Sequence, residues 1–200
     1  MRTLRTGHHG KRQAGFTLVE ITVTLAIIMI VAGIAIPNMM QVWADMELRS
    51  VASQVADLMQ QARMRAAKNN ATYPIRYQVT NGVQQVYVDL NNNSALDNLE
   101  PVIDLPRGIT LTAAAPSSNP SPYVFTADTT SGTPYTNTDI LAFSPRGLPC
   151  NYDSPPTCAT PTASYFVYYF QDSRPNGWAA VLVTKAGRTK ALTWNGSSWY

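Results

Sequence analysis

The stretch from Phe16 to Ile36 constrains this chain more than any other part: 21 residues, mostly apolar, with Glu20 as the only charge. Wound as a helix at ~1.5 Å per residue, such a run is about 31 Å long and spans the hydrocarbon of a bilayer. The basic residues that flank it (Arg2, Arg5, Lys11 and Arg12) all lie on its N-terminal side, before Gly15. The positive-inside bias then puts residues 1–15 in the cytoplasm and everything after Pro37 outside. A cleavable secretory signal shares these features, with Arg2 to Arg12 as its charged region and small residues between Ala32 and Pro37. The apolar run is long for that role.

The helical pattern also continues past the run. Leu48, Val51, Val55, Leu58, Ala62 and Ala66 recur at steps of three and four, with Asp45, Arg49, Ser53, Asp57, Gln60 and Lys68 between them. Asn69 and Asn70, poor helix formers, followed by Pro74, end it. One helix of roughly 55 residues, about 80 Å long, results. Pro37 is expected to kink it, and Gly33 weakens the preceding turn.

From Thr72 the texture is β. Thr72 to Val79 and Val83 to Leu90 flank Asn81-Gly82, a strong hairpin signal. Further candidate strands are Ile109 to Ala113, Tyr123 to Thr126, Ile140 to Phe143, Tyr165 to Phe170, Trp178 to Thr184 and Arg188 to Trp194. Residues 114–138, rich in Pro, Ser, Thr and Asn, read as a long loop. The expected class is α+β, a long helix packed by its second half on an antiparallel sheet. The segments are 1–15 (leader), 16–36 (apolar span), 37–70 (amphipathic helix) and 71–200 (β domain).

Charge and composition narrow the function. The formal charge of +3 comes from 15 basic and 12 acidic residues, but four of the basic ones precede Gly15. Without them 11 basic side chains face 12 acidic ones, a net of about −1, which does not suit a globally basic nucleic-acid binder. Both histidines, His8 and His9, lie in the leader, so the rest of the chain lacks the commonest general base and metal ligand. No serine or cysteine there has a histidine to activate it, and no glycine-rich loop has phosphate-binding spacing, so no catalytic apparatus is visible. Cys150 and Cys158 are the only cysteines. In an exported domain they suit a disulfide, with two free thiols as the alternative.

Gly15-Phe16-Thr17-Leu18-Val19-Glu20 joins the basic leader to the apolar run. This arrangement resembles the class III signal of type IV prepilins and type II secretion pseudopilins, with the helix-breaking Pro37 also in place. The resemblance implies cleavage after Gly15 by a membrane prepilin peptidase, N-methylation of Phe16, and assembly with other pilin or pseudopilin subunits from the inner membrane. The physics supports a role for Glu20, because a carboxylate in an apolar helix is costly and needs a partner. That partner is its own terminal amine one turn away, or the amine of a neighbouring subunit, where low dielectric strengthens the pairing and fixes register. Snorkelling of Glu20 to the headgroups is the remaining alternative.

The β part resembles the FimT/GspH group of minor pilins and pseudopilins, through Val86 to Glu100, Phe143-Ser144-Pro145-Arg146-Gly147 and Gly187-Arg188-Thr189-Lys190. That resemblance implies a subunit that primes or caps a pilus, or a minor pseudopilin of a secretion system. Some members take up DNA through a Gly-Arg-x-Arg turn. Here Lys190 replaces the final arginine, and Lys185, Arg188 and Lys190 are the candidate DNA contacts.

Asp89, Asn91, Asn93, Asp97 and Glu100 have the ligand spacing of an EF-hand loop, making calcium the one candidate cofactor. Ser94 stands where the tight turn wants glycine, and the stretch follows a strand. The alternative is a polar loop that satisfies its own backbone. The aromatic residues from Tyr165 to Tyr200 read as core, with stacking on nucleic-acid bases as the other use.

Overall fold

The computed structural model describes residues 15–112, 116, 141–152, 158–159 and 165–200. Residues 1–14, the candidate strand Tyr123 to Thr126 and, apart from Pro116, the loop over 114–138 lie outside them. The class is α+β: among the described residues one helix, α1 (Leu18–Asn69), is followed by ten short strands.

Helix α1 runs 52 residues, with Pro37 inside it. Thr17 caps its start, the Oγ1 accepting the Glu20 N–H at 3.2 Å. Its end is a Schellman turn, in which Asn70 takes φ 51° and the Ala71 N–H reaches back to the Ala66 carbonyl at 3.1 Å. Thus Asn70 stops the helix, just after Asn69, by adopting the left-handed conformation that asparagine tolerates.

By its contacts the chain forms two compact units, Met1–Val42 and Trp43–Tyr200. The described part of the first is residues 15–17 and the first half of α1, and its large apolar residues are exposed. In the second, Leu48, Val51, Ala52, Val55, Leu58, Met59, Ala62 and Ala66 are buried along one face of α1. The alanines let the sheets approach the helix closely.

Two antiparallel sheets share that face. The six-stranded sheet has the order β3 (Val102–Asp104), β2 (Val83–Val88), β1 (Tyr73–Thr80), β5 (Leu141–Phe143), β6 (Pro149–Tyr152), β7 (Cys158–Ala159). The four-stranded sheet runs β10 (Thr189–Thr193), β9 (Trp178–Thr184), β8 (Tyr165–Gln171), β4 (Thr110–Thr112). Ile75, Val86, Phe143, Phe166, Phe170 and Val181 meet the helix in one core. On its other face the four-stranded sheet buries Tyr165, Val167, Tyr169, Trp178, Leu182 and Trp194, packed with Trp199. Burial on both faces explains why β8 is a continuous apolar run rather than an alternation. The late aromatics are therefore largely core, although Tyr200 is exposed.

Strands β3, β6 and β7 had no sequence signal. They are three, four and two residues long, and β6 opens on Pro149. Strand β2 stops at Val88, two residues before the expected Leu90, because Asp89 turns its carboxylate into the following loop.

Candidate assembly and binding sites

Gly15 and Phe16 precede the cap, and Phe16 is 78% exposed. Thr17-Leu18-Val19-Glu20 has the spacing of a helix-start box, so Glu20 sits in the first turn, where the N-terminal dipole favours a carboxylate. That spacing could have identified Thr17 from sequence. Among the described residues the Glu20 carboxylate has no hydrogen-bond or ion-pair partner. Thr22 and Thr24 donate their hydroxyls to the helix's own carbonyls, Thr22 to Val19 at 2.9 Å and Thr24 to Glu20 at 3.0 Å. These hydroxyls are thereby satisfied within the helix, as a span in lipid requires. The most apolar window of α1 has no residue buried within the described part of the chain, unlike the core helix of a water-soluble domain.

Residues 10–36 match the family model for the prokaryotic N-terminal methylation motif. The chain carries a class III prepilin signal. With the long apolar helix behind it, that signal fits the type IV pilin superfamily and supports a pilin-like or pseudopilin protein. It implies processing by a prepilin peptidase and assembly with other pilins. Comparison with curated proteins and with solved structures finds no match for the chain.

Cys150 and Cys158 are joined as a disulfide across β6 and β7, with Cα atoms 5.3 Å apart. The Asp89–Glu100 loop is organised by its own carboxylates. Asp89, fully buried, accepts the N–H groups of Asn93 at 3.2 Å and Ser94 at 2.9 Å. Glu100 accepts those of Leu90 at 2.6 Å and Asp97 at 3.1 Å. One oxygen of Asp97 takes the side-chain amides of Asn91 and Asn93. The five residues with EF-hand spacing are thus gathered, but around backbone donors. Among the described residues no group of three or more His, Cys, Asp or Glu is placed to hold a metal.

Lys185, Arg188 and Lys190 are all exposed at the β9–β10 turn. The turn closes through Gly187 N–H to Thr184 O at 2.8 Å and Thr184 N–H to Arg188 O at 2.9 Å. Arg63 of α1 holds it, donating Nη1 to the Gly187 carbonyl at 2.8 Å and Nε to the Gly147 carbonyl at 2.9 Å. A Cβ on Gly187 would lie 3.0 Å from Arg63 Nε, and φ there is +76°, so only glycine fits easily. Arg63 therefore ties together the two short motifs, at 143–147 and 187–190, that belong to different sheets. Sequence reasoning missed it, since its partners lie 84 and 124 residues away.

A second unforeseen arginine fastens the start of the domain's helix. Arg174, in the β8–β9 turn, pairs with Asp45 at 2.7 Å and with Asp172. Gly177 leaves the space that the Asp172 carboxylate fills, as a Cβ there would meet its Oδ1 at 1.8 Å.

Proposed function

We propose that this chain is a minor type IV pilin of the FimT/GspH kind, a structural subunit that primes or caps a filament. In this reading it waits in the inner membrane with residues 1–15 in the cytoplasm and the β domain in the periplasm. The peptidase cuts after Gly15, Phe16 is methylated, and the 16–36 helix moves from lipid into the filament core. Pro37 supplies a break in helix hydrogen bonding where that segment ends.

The observation that carries the proposal is Glu20: a carboxylate without a partner among the described residues, at the head of an exposed apolar helix directly behind the cleavage signal. Cleavage supplies a cationic amine for it, and in a bundle of such helices the amine of a neighbour sets axial register. Expressed with its assembly partners, Glu20→Ala should insert into membranes normally yet be missing from sheared filaments. Incorporation at the wild-type level would return Glu20 to a headgroup-facing role.

A second reading, DNA capture at a filament tip, is favoured by the Arg63-held turn that displays Lys185, Arg188 and Lys190. Three cations neutralise about three phosphates, so binding would be weak and lost steeply with salt. No cofactor enters either reading. The Asp89–Glu100 loop is proposed to keep its shape without calcium; saturable heat at millimolar calcium, abolished by Asp89→Ala, would reverse that.

A further inference from the structure

Asn92 and Ser94 both hold left-handed backbone, at φ 58° and 63°. Serine seldom adopts this conformation, and it persists where neighbours over-determine it. Here the neighbours are Asp89, which accepts the Asn93 and Ser94 N–H groups, and Arg76, whose Nη2 donates to Ser94 Oγ at 3.1 Å. Tyr152, 60 residues away, adds a hydroxyl donated to Asn92 Oδ1 at 2.9 Å. The Arg76 guanidinium also lies over the Tyr152 ring, 5.1 Å from its centroid, and its Nε is 3.6 Å from Asp89. Burial pushes the Tyr152 pKa up, with Arg76 opposing, so the phenol keeps the proton it donates.

Tyr152 is also connected to the disulfide. Among the described residues its strand β6 pairs with β5 from Pro149 to Asn151, and the ladder partner of Tyr152 is Cys158 of β7. Among the described residues strand β7 is Cys158–Ala159, stands at the edge of the sheet, and is bonded through Cys158 to Cys150. The two ladder pairs described for β7, Asn151 with Ala159 and Tyr152 with Cys158, lie beside the covalent tie, so the disulfide and the register of Tyr152 are directly linked.

We propose that the Cys150–Cys158 disulfide controls the conformation of the Asn91–Ser94 loop, acting through the register of β7 and the Tyr152 hydroxyl. Reduction by a dithiol passes two electrons and two protons to the sulfurs, giving two thiols while the dithiol closes to its own disulfide. Strand β7 then frays, Tyr152 leaves Asn92, and the left-handed residues relax. The loop is ordered only in an oxidised domain, so its surface reports the thiol state of the subunit. The coupling is a property of the domain and does not depend on the filament reading.

Hydrogen exchange on the full chain in detergent micelles tests it, comparing oxidised protein with protein reduced by dithiothreitol. Reduction should speed exchange at Asn93 and Ser94 about fivefold or more while leaving β8 and β9 unchanged. Tyr152→Phe should give the same acceleration in oxidised protein, and reducing that variant should add less than about twofold. Unchanged exchange at Asn93 and Ser94 on reduction would overturn the proposal. So would acceleration spread equally over β8 and β9, or additive effects of reduction and Tyr152→Phe.

Discussion

The two halves of α1 share one backbone and an apolar character, yet they solve opposite problems. From Trp43 to Asn69 the buried residues fall on one face and meet two sheets. From Leu18 to Val42 the large apolar residues point in every direction, and Leu18, Met29, Ile30 and Ile34 are each at least 67% exposed. A helix that is apolar all round has no place in water. The first half is therefore written for a solvent or a partner that the chain itself does not provide, and the second half for its own domain.

Stability measurements on the full chain in detergent can break that contrast. Phe143→Ala, in the core facing the second half, should destabilise the domain by about 3–5 kcal/mol in urea titrations. Ile28→Ala, in the first half, should leave it within about 0.5 kcal/mol of wild type. Comparable losses from the two would mean that both halves serve the same folded unit.

Arg63 sharpens the comparison, because it marks how far the second half reaches into the domain. Arg63→Met keeps the side chain's packing but leaves the Gly147 and Gly187 carbonyls unpaired, at a cost of about 1–3 kcal/mol. Hydrogen exchange should rise at Gly187, the N–H that closes the β9–β10 turn, more than at β1. A uniform rise would assign Arg63 to general stability instead.

The smallest expected effect lies at high pH. Burial pushes the phenol of Tyr169 well above its ordinary value of 10.0, with Tyr165 adding to the shift. The folded state then holds a proton that the unfolded state releases above about pH 10. Stability is complete below that pH and falls as pH rises through it, by at most about 1.4 kcal/mol per unit for one such group. Tyr169→Phe should flatten this fall; an unchanged slope would place the titration elsewhere, with Tyr77, Tyr152 and Tyr165 next in line.

What could be read from the sequence follows the range of the forces involved. The long helix, its asparagine stop and the β1–β2 hairpin depend on neighbours within a few residues, and the pattern from Leu48 to Ala66 showed which face would be buried. The cleavage signal is equally local. The division into two sheets is not, because it includes strands such as Cys158–Ala159 that carry no strand signal of their own and are placed by partners elsewhere in the chain. Arg63 and Arg174 carry no local sign of their partners: one looks like a solvated helix residue and the other like a loop cation. The Asp89–Glu100 stretch was legible as a set of oxygens at regular spacing, but spacing alone does not say whether those oxygens turn outward to an ion or inward to the backbone.

The claim that the first half is made for lipid and then for other subunits depends on processing at Gly15. Intact-mass spectrometry of protein extracted from membranes of cells containing the peptidase measures it directly. The account predicts a chain that begins at Phe16 and carries one additional methyl group. A chain cut near Ala35, or one still bearing residues 1–15, would contradict it.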